Sequence, residues 1–446
     1  MLSRYFASRA WLSVADGLAS DVLVTVDDGV ITAVEANVVA PSDAVRLPGF
    51  VMPGLVNAHS HAFHRALRSR THKGSGDFWS WREQMYTVVE RLDPDGYLAL
   101  ARATYAEMVL AGITTVCEFH YLHHGAGGVP YDNPSAMDEA LATAAAEAGI
   151  RLVLLDTCYL QADVDGKPLE GPQRRFGDRD ADAWALRAEG TRDALRGKVS
   201  VGAAIHSVRG CSPEAMRTVA AWADGYAAPL HLHLSEQVKE NRACLHTHGR
   251  TPTGLCADTG VLGPRTTAVH ATHLVDADIA LLGQAAAIAC FCPTTERDLA
   301  DGIGPAARLT AAGAGLSLGS DSHAVIDLFE EARAVELNAR LDTQRRGQHG
   351  AASLLAAATE GGAASAGIDG GIAVGRAADF IAVDTDSVRT AGGAADPIAM
   401  AVFAATASDV THVVGGGRLI VDDRRHRAVP DVGAALEASI SPLFAD

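Results

Sequence analysis

The chain has 446 residues, 48% of them hydrophobic and 20% charged, which is too long for one small domain and too apolar for a disordered chain. Its formal net charge of -17 opposes binding to phosphate backbones, so nucleic acid is not an expected partner, whereas a locally basic pocket for a small acidic substrate is still allowed. The opening residues, MLSRYFASRAWLSVADGLASDVLV, hold no uninterrupted apolar stretch, and no charge-free run reaches transmembrane length. The sequence therefore predicts no signal peptide, no membrane partner and a cytoplasmic setting. Seven scattered cysteines, an odd number, do not make a disulfide framework and are expected as reduced, mostly buried thiols, with Cys290 and Cys292 the close pair.

In chain order, residues 1–51 read as short strands, WLSVADG, DVLVTVDDG and VITAVEAN, punctuated by Asp-Gly turns suited to hairpins. From 52 to 367 the pattern changes. Short apolar runs (RLVLLDTCYL, KVSVGAAIHS, APLHLHLSE, TTAVHATHL, AAIACFCP, GLSLGSDSH) alternate with alanine-rich helical stretches such as PSAMDEALATAAAEAG. Repeated strand–helix alternation over this length predicts an α/β fold, a (β/α)8 TIM-like barrel. Residues 368–446 return to strands, ADFIAVDTDS and HVVGGGRLIVDD, and should join the first segment in a small β-sandwich domain.

In such barrels the chemistry sits where strands end. Here the apolar runs end in His59/His61, Glu118/His120, His206, His231/His233, His270 and Asp321. Residues i and i+2 of a strand share a face, so His59 and His61 can aim at one ion, as can one of His231 and His233. Glu236, three residues after His233, opens the loop above that strand. Three histidines and an aspartate make a Zn²⁺ set with an open position for water.

The segments PGLVNAHSH, HLSE, VHATH and GSDSH, in that order, resemble the amidohydrolase superfamily along nearly the whole chain. The resemblance implies that His59, His61, His233 and Asp321 hold the metal, with Glu236 and His270 as catalytic partners. His233 is preferred to His231 for its H-x-x-E spacing to Glu236, as in the deaminase branch. Binuclear members bridge two ions with a carbamylated lysine. Here lysines occur only at Lys73, Lys167, Lys198 and Lys239, none ending an apolar run, which favours one divalent ion, Zn²⁺ by default with Fe²⁺ fitting the same ligands. In such a site the ion lowers the pKa of a bound water to about 7, Asp321 takes its proton, Glu236 relays a proton to the leaving nitrogen, and His270 polarises the attacking oxygen.

Three further segments speak to substrate. GDFWSWREQMY sets Arg82 among Trp79, Trp81 and Tyr86; EFHYLHH carries Tyr121; IHSVRG carries His206 and Arg209. Two arginines near a barrel mouth suit a carboxylate, which the guanidinium fork matches. These segments resemble the formimidoylglutamate deiminases. The resemblance implies that Arg82, Tyr121, His206 and Arg209 grip the glutamate part and that N-formimidoyl-L-glutamate is hydrolysed to N-formyl-L-glutamate and ammonia, a step of histidine degradation, in a homodimer. His64 stands where that family usually has glutamine and is expected at the substrate. CPTTERDLADG departs from the usual S-T-E-A-N-L at Arg297 and Asp298. The rival readings are a deaminase of a purine, pyrimidine or related heterocycle, and a non-catalytic scaffold. The polar segment 161–183 is long enough to cover the mouth, with Arg174 or Arg175 as a third anion contact.

Overall fold

The Asp-Gly punctuation does what its chemistry predicts. Strand β1 (Ser3–Ser13) turns into β2 (Gly17–Asp27), and β2 turns into β3 (Val30–Glu35) through Asp28 and Gly29, with φ of 48° and 79°. Both values lie in the left-handed region that a tight hairpin turn requires. The computed structural model describes residues 2–72 and 78–445, without the side chains of 78–80; Lys73 and the Trp79 side chain therefore lie outside the described residues. Strands β4 (Val45–Leu47) and β5 (Phe50–Pro53) complete the N-terminal part of this sheet.

Next come β6 (Leu55–Ser60), β7 (Ile113–His120), β8 (Arg151–Cys158), β9 (Ser200–Ile205), β10 (Leu230–Leu234), β11 (Thr266–His270), β12 (Ile288–Phe291) and β13 (Gly315–Leu318). Each pairs with the next in parallel, in sequential order. Most of these strands are buried along nearly their whole length, as expected of a parallel sheet covered by helices. Those helices include α1 (Phe78–Arg91), α2 (Pro94–Leu110), α3 (Ala136–Ala148) and α4 (Ala181–Ala194). The barrel is nearly closed between its first and last strands. The seam is a pair of backbone bonds: Asp321 N–H donates to the His59 carbonyl at 3.0 Å, and His61 N–H donates to the Asp321 carbonyl at 3.2 Å.

The C-terminal strands β14 (Phe380–Val383), β15 (Val410–Gly415), β16 (Arg418–Asp422) and β17 (Arg425–His426) return to the N-terminal ones. Antiparallel pairing of β14 with β5 welds both chain ends into one nine-stranded mixed sheet. That sheet has its own apolar core, with Tyr5, Val22, Val24, Phe380 and Val414 buried together. All seven cysteines are free and buried. Among the described residues no helix is long and apolar enough to cross a membrane.

Candidate active site

The donor atoms of His59, His61, His233 and Asp321 lie within 4.8 Å of one another, all buried at the C-terminal mouth of the barrel. Strand pleat puts the two histidines of β6 on one face, and the closing seam sets Asp321 beside them. His233 Nε2 is 3.1 Å from His59 Nε2 and 3.3 Å from His61 Nε2. Asp321 Oδ1 is 3.3 Å from His59 Nε2 and 3.5 Å from His61 Nε2. A tetrahedral ion with bonds of about 2.0–2.1 Å has edges of about 3.3 Å, so the spacing fits zinc.

The hydrogen bonds behind these rings sharpen the fit. His61 Nδ1 meets the Phe119 carbonyl at 2.9 Å, and His233 Nδ1 meets the His206 carbonyl at 2.8 Å. A carbonyl only accepts, so both rings carry their proton on Nδ1 and turn bare Nε2 lone pairs toward each other. Two facing lone pairs repel unless a cation lies between them. Nor can the rings relieve this by protonation. Burial, then neighbouring imidazoles, pushes the pKa of His59 and His233 well below the usual value, and that of His61 down to about 3. His231 shares the strand with His233 but bonds the Ser365 carbonyl at 2.8 Å, a structural tie outside the donor set.

Three strand ends break sharply here. Ser235, His270 and Asp321 have φ of 52°, 67° and 43°, left-handed values that are costly for residues with a Cβ. The breaks turn the acid–base groups over the donor set. His270 Nε2 lies 3.7 Å from Asp321 Oδ2 and 3.8 Å from Glu236 Oε1, and its Nδ1 lies 3.4 Å from Glu296 Oε1. Burial opposes a charge on His270. The hydrogen bond to Glu296 and the carboxylates of Glu236 and Asp321 nonetheless hold its pKa well above the ordinary imidazole value.

Arg209 is not an isolated cation awaiting a ligand. Its Nη2 lies 3.1 Å from Glu236 Oε2 and its Nε 3.0 Å from Glu240 Oε2, all buried. A substrate carboxylate would join this network. Around it, one cavity is lined by His64, Trp81, Arg82, Tyr121, His206 and Arg209 together with the donors His61, His233 and Asp321 and the acid–base groups Glu236 and His270. His64 Nε2 bonds the Tyr121 hydroxyl at 2.9 Å and takes the Trp81 ring edge-on at 4.9 Å. The Arg82 guanidinium lies 5.8 Å from the Tyr86 ring. The expected substrate-facing residues thus stand together.

Some expectations need correction. Arg175 is no anion contact: its buried guanidinium donates to the carbonyls of His124 at 2.8 Å, Leu92 at 2.6 Å and Val89. Arg174 is exposed. The segment 161–183 instead brings Phe176 against Tyr121 at 4.9 Å and Tyr159 at 5.4 Å. Glu118, two residues before the end of β7, is not in the donor set; it accepts from Ser60 Oγ at 2.7 Å and Ala62 N at 2.6 Å. Glu240, Glu296 and Tyr159, the last stacked on His206 at 3.8 Å, escaped the sequence reading. The first two lie in the first turns of helices, where an acid ordinarily just answers the helix dipole. Their signal was the HLSEQVKE and CPTTE context alone.

The Amidohydrolase family model matches residues 50–420, spanning the barrel, its seam and part of the nine-stranded sheet. The chain belongs to that family. It is 36% identical to the formimidoylglutamate deiminase of Pseudomonas aeruginosa, over 95% of this chain and 96% of that protein. It is 30% identical to the 5-methylthioadenosine/S-adenosylhomocysteine deaminase of Halobacterium salinarum, over 92% and 90%. Among solved structures, an amidohydrolase from Brucella melitensis superposes with a TM-score of 0.92 at 34% identity, covering 99% of this chain and 100% of that one. This amidohydrolase is therefore an enzyme of the deaminase type, acting on C–N bonds.

Proposed function

We propose that this amidohydrolase hydrolyses N-formimidoyl-L-glutamate to N-formyl-L-glutamate and ammonia. The observation that carries the reading is the placement of Arg82 and Arg209 in the cavity directly beside the His59, His61, His233 and Asp321 donor set. Two guanidinium groups suit the dicarboxylate tail of an acyclic substrate, and the 36% identical relative bears the same activity in its name.

Those four side chains would hold one Zn²⁺-class ion, which supplies a water acidified to near neutral pH. The chain's own groups do the rest. Asp321 turns Oδ1 toward the histidine donors and Oδ2 toward His270, so a second oxygen remains to accept the proton of the attacking water. His270, with three carboxylates around it, donates a hydrogen bond to charge developing on the attacking water's oxygen. The proton taken by Asp321, relayed through Glu236, reaches the amidine nitrogen; the hydroxyl proton follows by the same route as the C=O bond forms and the C–N bond breaks, releasing ammonia. Arg82, Tyr121 and His206 orient the glutamate part, with His64 alongside through its bond to Tyr121.

A purine substrate is the second reading. It is favoured by the aromatic wall of Trp81, Tyr121 and Tyr159 and by the methylthioadenosine deaminase relative. The deciding measurement is ammonia release by zinc-loaded protein offered formimidoylglutamate, guanine or 5-methylthioadenosine. Release from formimidoylglutamate alone is expected. Release from a purine alone would reject the reading.

A further inference from the structure

A second set of donors lies outside the candidate active site, where β7 ends against α3. His120, His123 and Asp138 are buried, and one donor atom of each lies within 4.8 Å of the other two. His120 Nε2 approaches Asp138 Oδ1 to 3.3 Å, yet the contact is no hydrogen bond, for neither atom has a hydrogen-bond partner. His120 Nδ1 and His123 Nδ1 are orphaned as well. Buried polar atoms without partners are rare, and several in one cluster point to a bound water or ion.

The remaining atoms of the cluster are held as the outer partners of a metal site hold its ligands. His123 donates Nε2–H to the Thr157 carbonyl at 3.0 Å, which leaves its lone pair on Nδ1. Thr191 Oγ1 donates to Asp138 Oδ2 at 3.2 Å, which leaves Oδ1. The two imidazoles meet edge to face, with centroids 4.8 Å apart at 89°; His59 and His61 in the active site meet at 4.7 Å and 86°. The nitrogen–oxygen approach of 3.3 Å also equals that of His59 to Asp321. Charge points the same way. Arg187 pairs with Asp156 at 2.8 Å and with the part-buried Asp178 at 3.0 Å, so its charge is already matched while Asp138 lies buried nearby. A divalent cation would balance the excess.

We propose that His120, His123 and Asp138 hold a second divalent cation of the zinc class, distinct from the catalytic ion and structural in role. Mixed imidazole and carboxylate donors suit such an ion, and a site buried this fully would capture it as the chain folds. The ion would pin the end of β7 to α3. Phe119, whose carbonyl orients His61, and Tyr121, which bonds His64, flank His120 and would be steadied with it.

The test is metal stoichiometry on the full chain. Protein stripped by chelator under partly unfolding conditions is refolded with Zn²⁺, freed of excess ion and analysed by plasma mass spectrometry. Two equivalents per chain are expected for the wild type, one for Asp138→Asn, one for His233→Ala, and none for the double variant. Asp138→Asn should retain its catalytic ion and most of its turnover but unfold at lower temperature. A wild type that takes one equivalent or none, with Asp138→Asn unchanged from it, overturns the proposal. Should Asp138→Asn fail to fold, anomalous scattering at the zinc edge from wild-type crystals decides. A peak among His120, His123 and Asp138 supports the site; a peak at the active site alone overturns it.

Discussion

Arg209 joins Glu236 to Glu240: its guanidinium lies 3.1 Å from the first carboxylate and 3.0 Å from the second. The proposed proton carrier and the proposed substrate anchor are therefore one connected unit, and Glu240 is its inner post. Glu240→Gln keeps the shape and removes the charge. Removing one partner of a buried ion pair costs on the order of 2–5 kcal/mol, so kcat/KM should fall roughly 30-fold or more. Because Arg209 faces the substrate, KM should carry most of the change. Steady-state kinetics beside a circular dichroism spectrum checks this, and unaltered kinetics would show that Glu240 only fills space.

Metal binding and acid–base chemistry should separate. Glu236 is not in the donor set, so Glu236→Gln should retain the ion while turnover falls by about 10²–10⁴-fold, the usual worth of a positioned proton carrier. His233→Ala should lose both ion and turnover. Metal analysis and ammonia release on the same samples give the answer. Substantial turnover in metal-replete Glu236→Gln would sink the assigned role.

His64 reaches the pocket through the Tyr121 hydroxyl at 2.9 Å, and burial with the nearby His61 keeps its pKa well below the usual value. It therefore acts as a neutral hydrogen-bonding ring. His64→Gln can rebuild that bond with its amide and should stay within roughly tenfold of wild-type kcat/KM on formimidoylglutamate, since even a failure to remake it forfeits one neutral hydrogen bond of about 1 kcal/mol. His64→Ala should lose more, and Tyr121→Phe should erase the difference between the two variants.

Glu118 should leave a mark on stability. Burial raises its pKa from 4.5 to about 7, against the hydrogen bonds from Ser60 and Ala62. The folded state thus holds a proton that the unfolded state releases. This contribution is fully present below pH 4.5 and is lost as pH rises through 7. Denaturant titrations of Glu118→Gln should accordingly show a flatter stability profile between these values than wild type does. An identical slope would mean that Glu118 does not titrate there.

Glu296 should govern the alkaline side of catalysis. Its bond to His270 Nδ1 helps hold that imidazole protonated. Glu296→Gln removes a charge that favours the cation, so the alkaline limb of the kcat/KM profile should move to lower pH. A limb that stays in place would assign it to another group.

Much of this was legible in the chain because it rests on local periodicity. Apolar runs of strand length, separated by helical stretches, announced the barrel, and the H-x-H of β6 announced two donors on one face. What stayed hidden needed contacts between distant segments. Arg209 reads as a carboxylate clamp, with nothing in its surroundings to announce that Glu236 and Glu240 already hold it. Arg175 reads the same way until the carbonyls of His124 and Leu92 surround it. An arginine looks alike in sequence whether its partner is a ligand or the backbone.

Alone, the sequence determined which side chains could serve: the pleat of a strand has a period of two, so His59 and His61 had to share a face wherever that strand came to lie. Periodicity left open which histidine of β10 would join them and whether Asp321 would; the family resemblance named His233 and Asp321, without a physical reason for either. Those choices fell to barrel closure. The seam bonds of Asp321 to His59 and His61 fix the stagger between first and last strands, and that stagger brings Asp321 and His233 to within 3.1–3.5 Å of the β6 imidazoles while His231 lies against Ser365. Metal geometry tolerates errors of tenths of an ångström, and only the assembled sheet holds strands from opposite ends of the barrel to that tolerance.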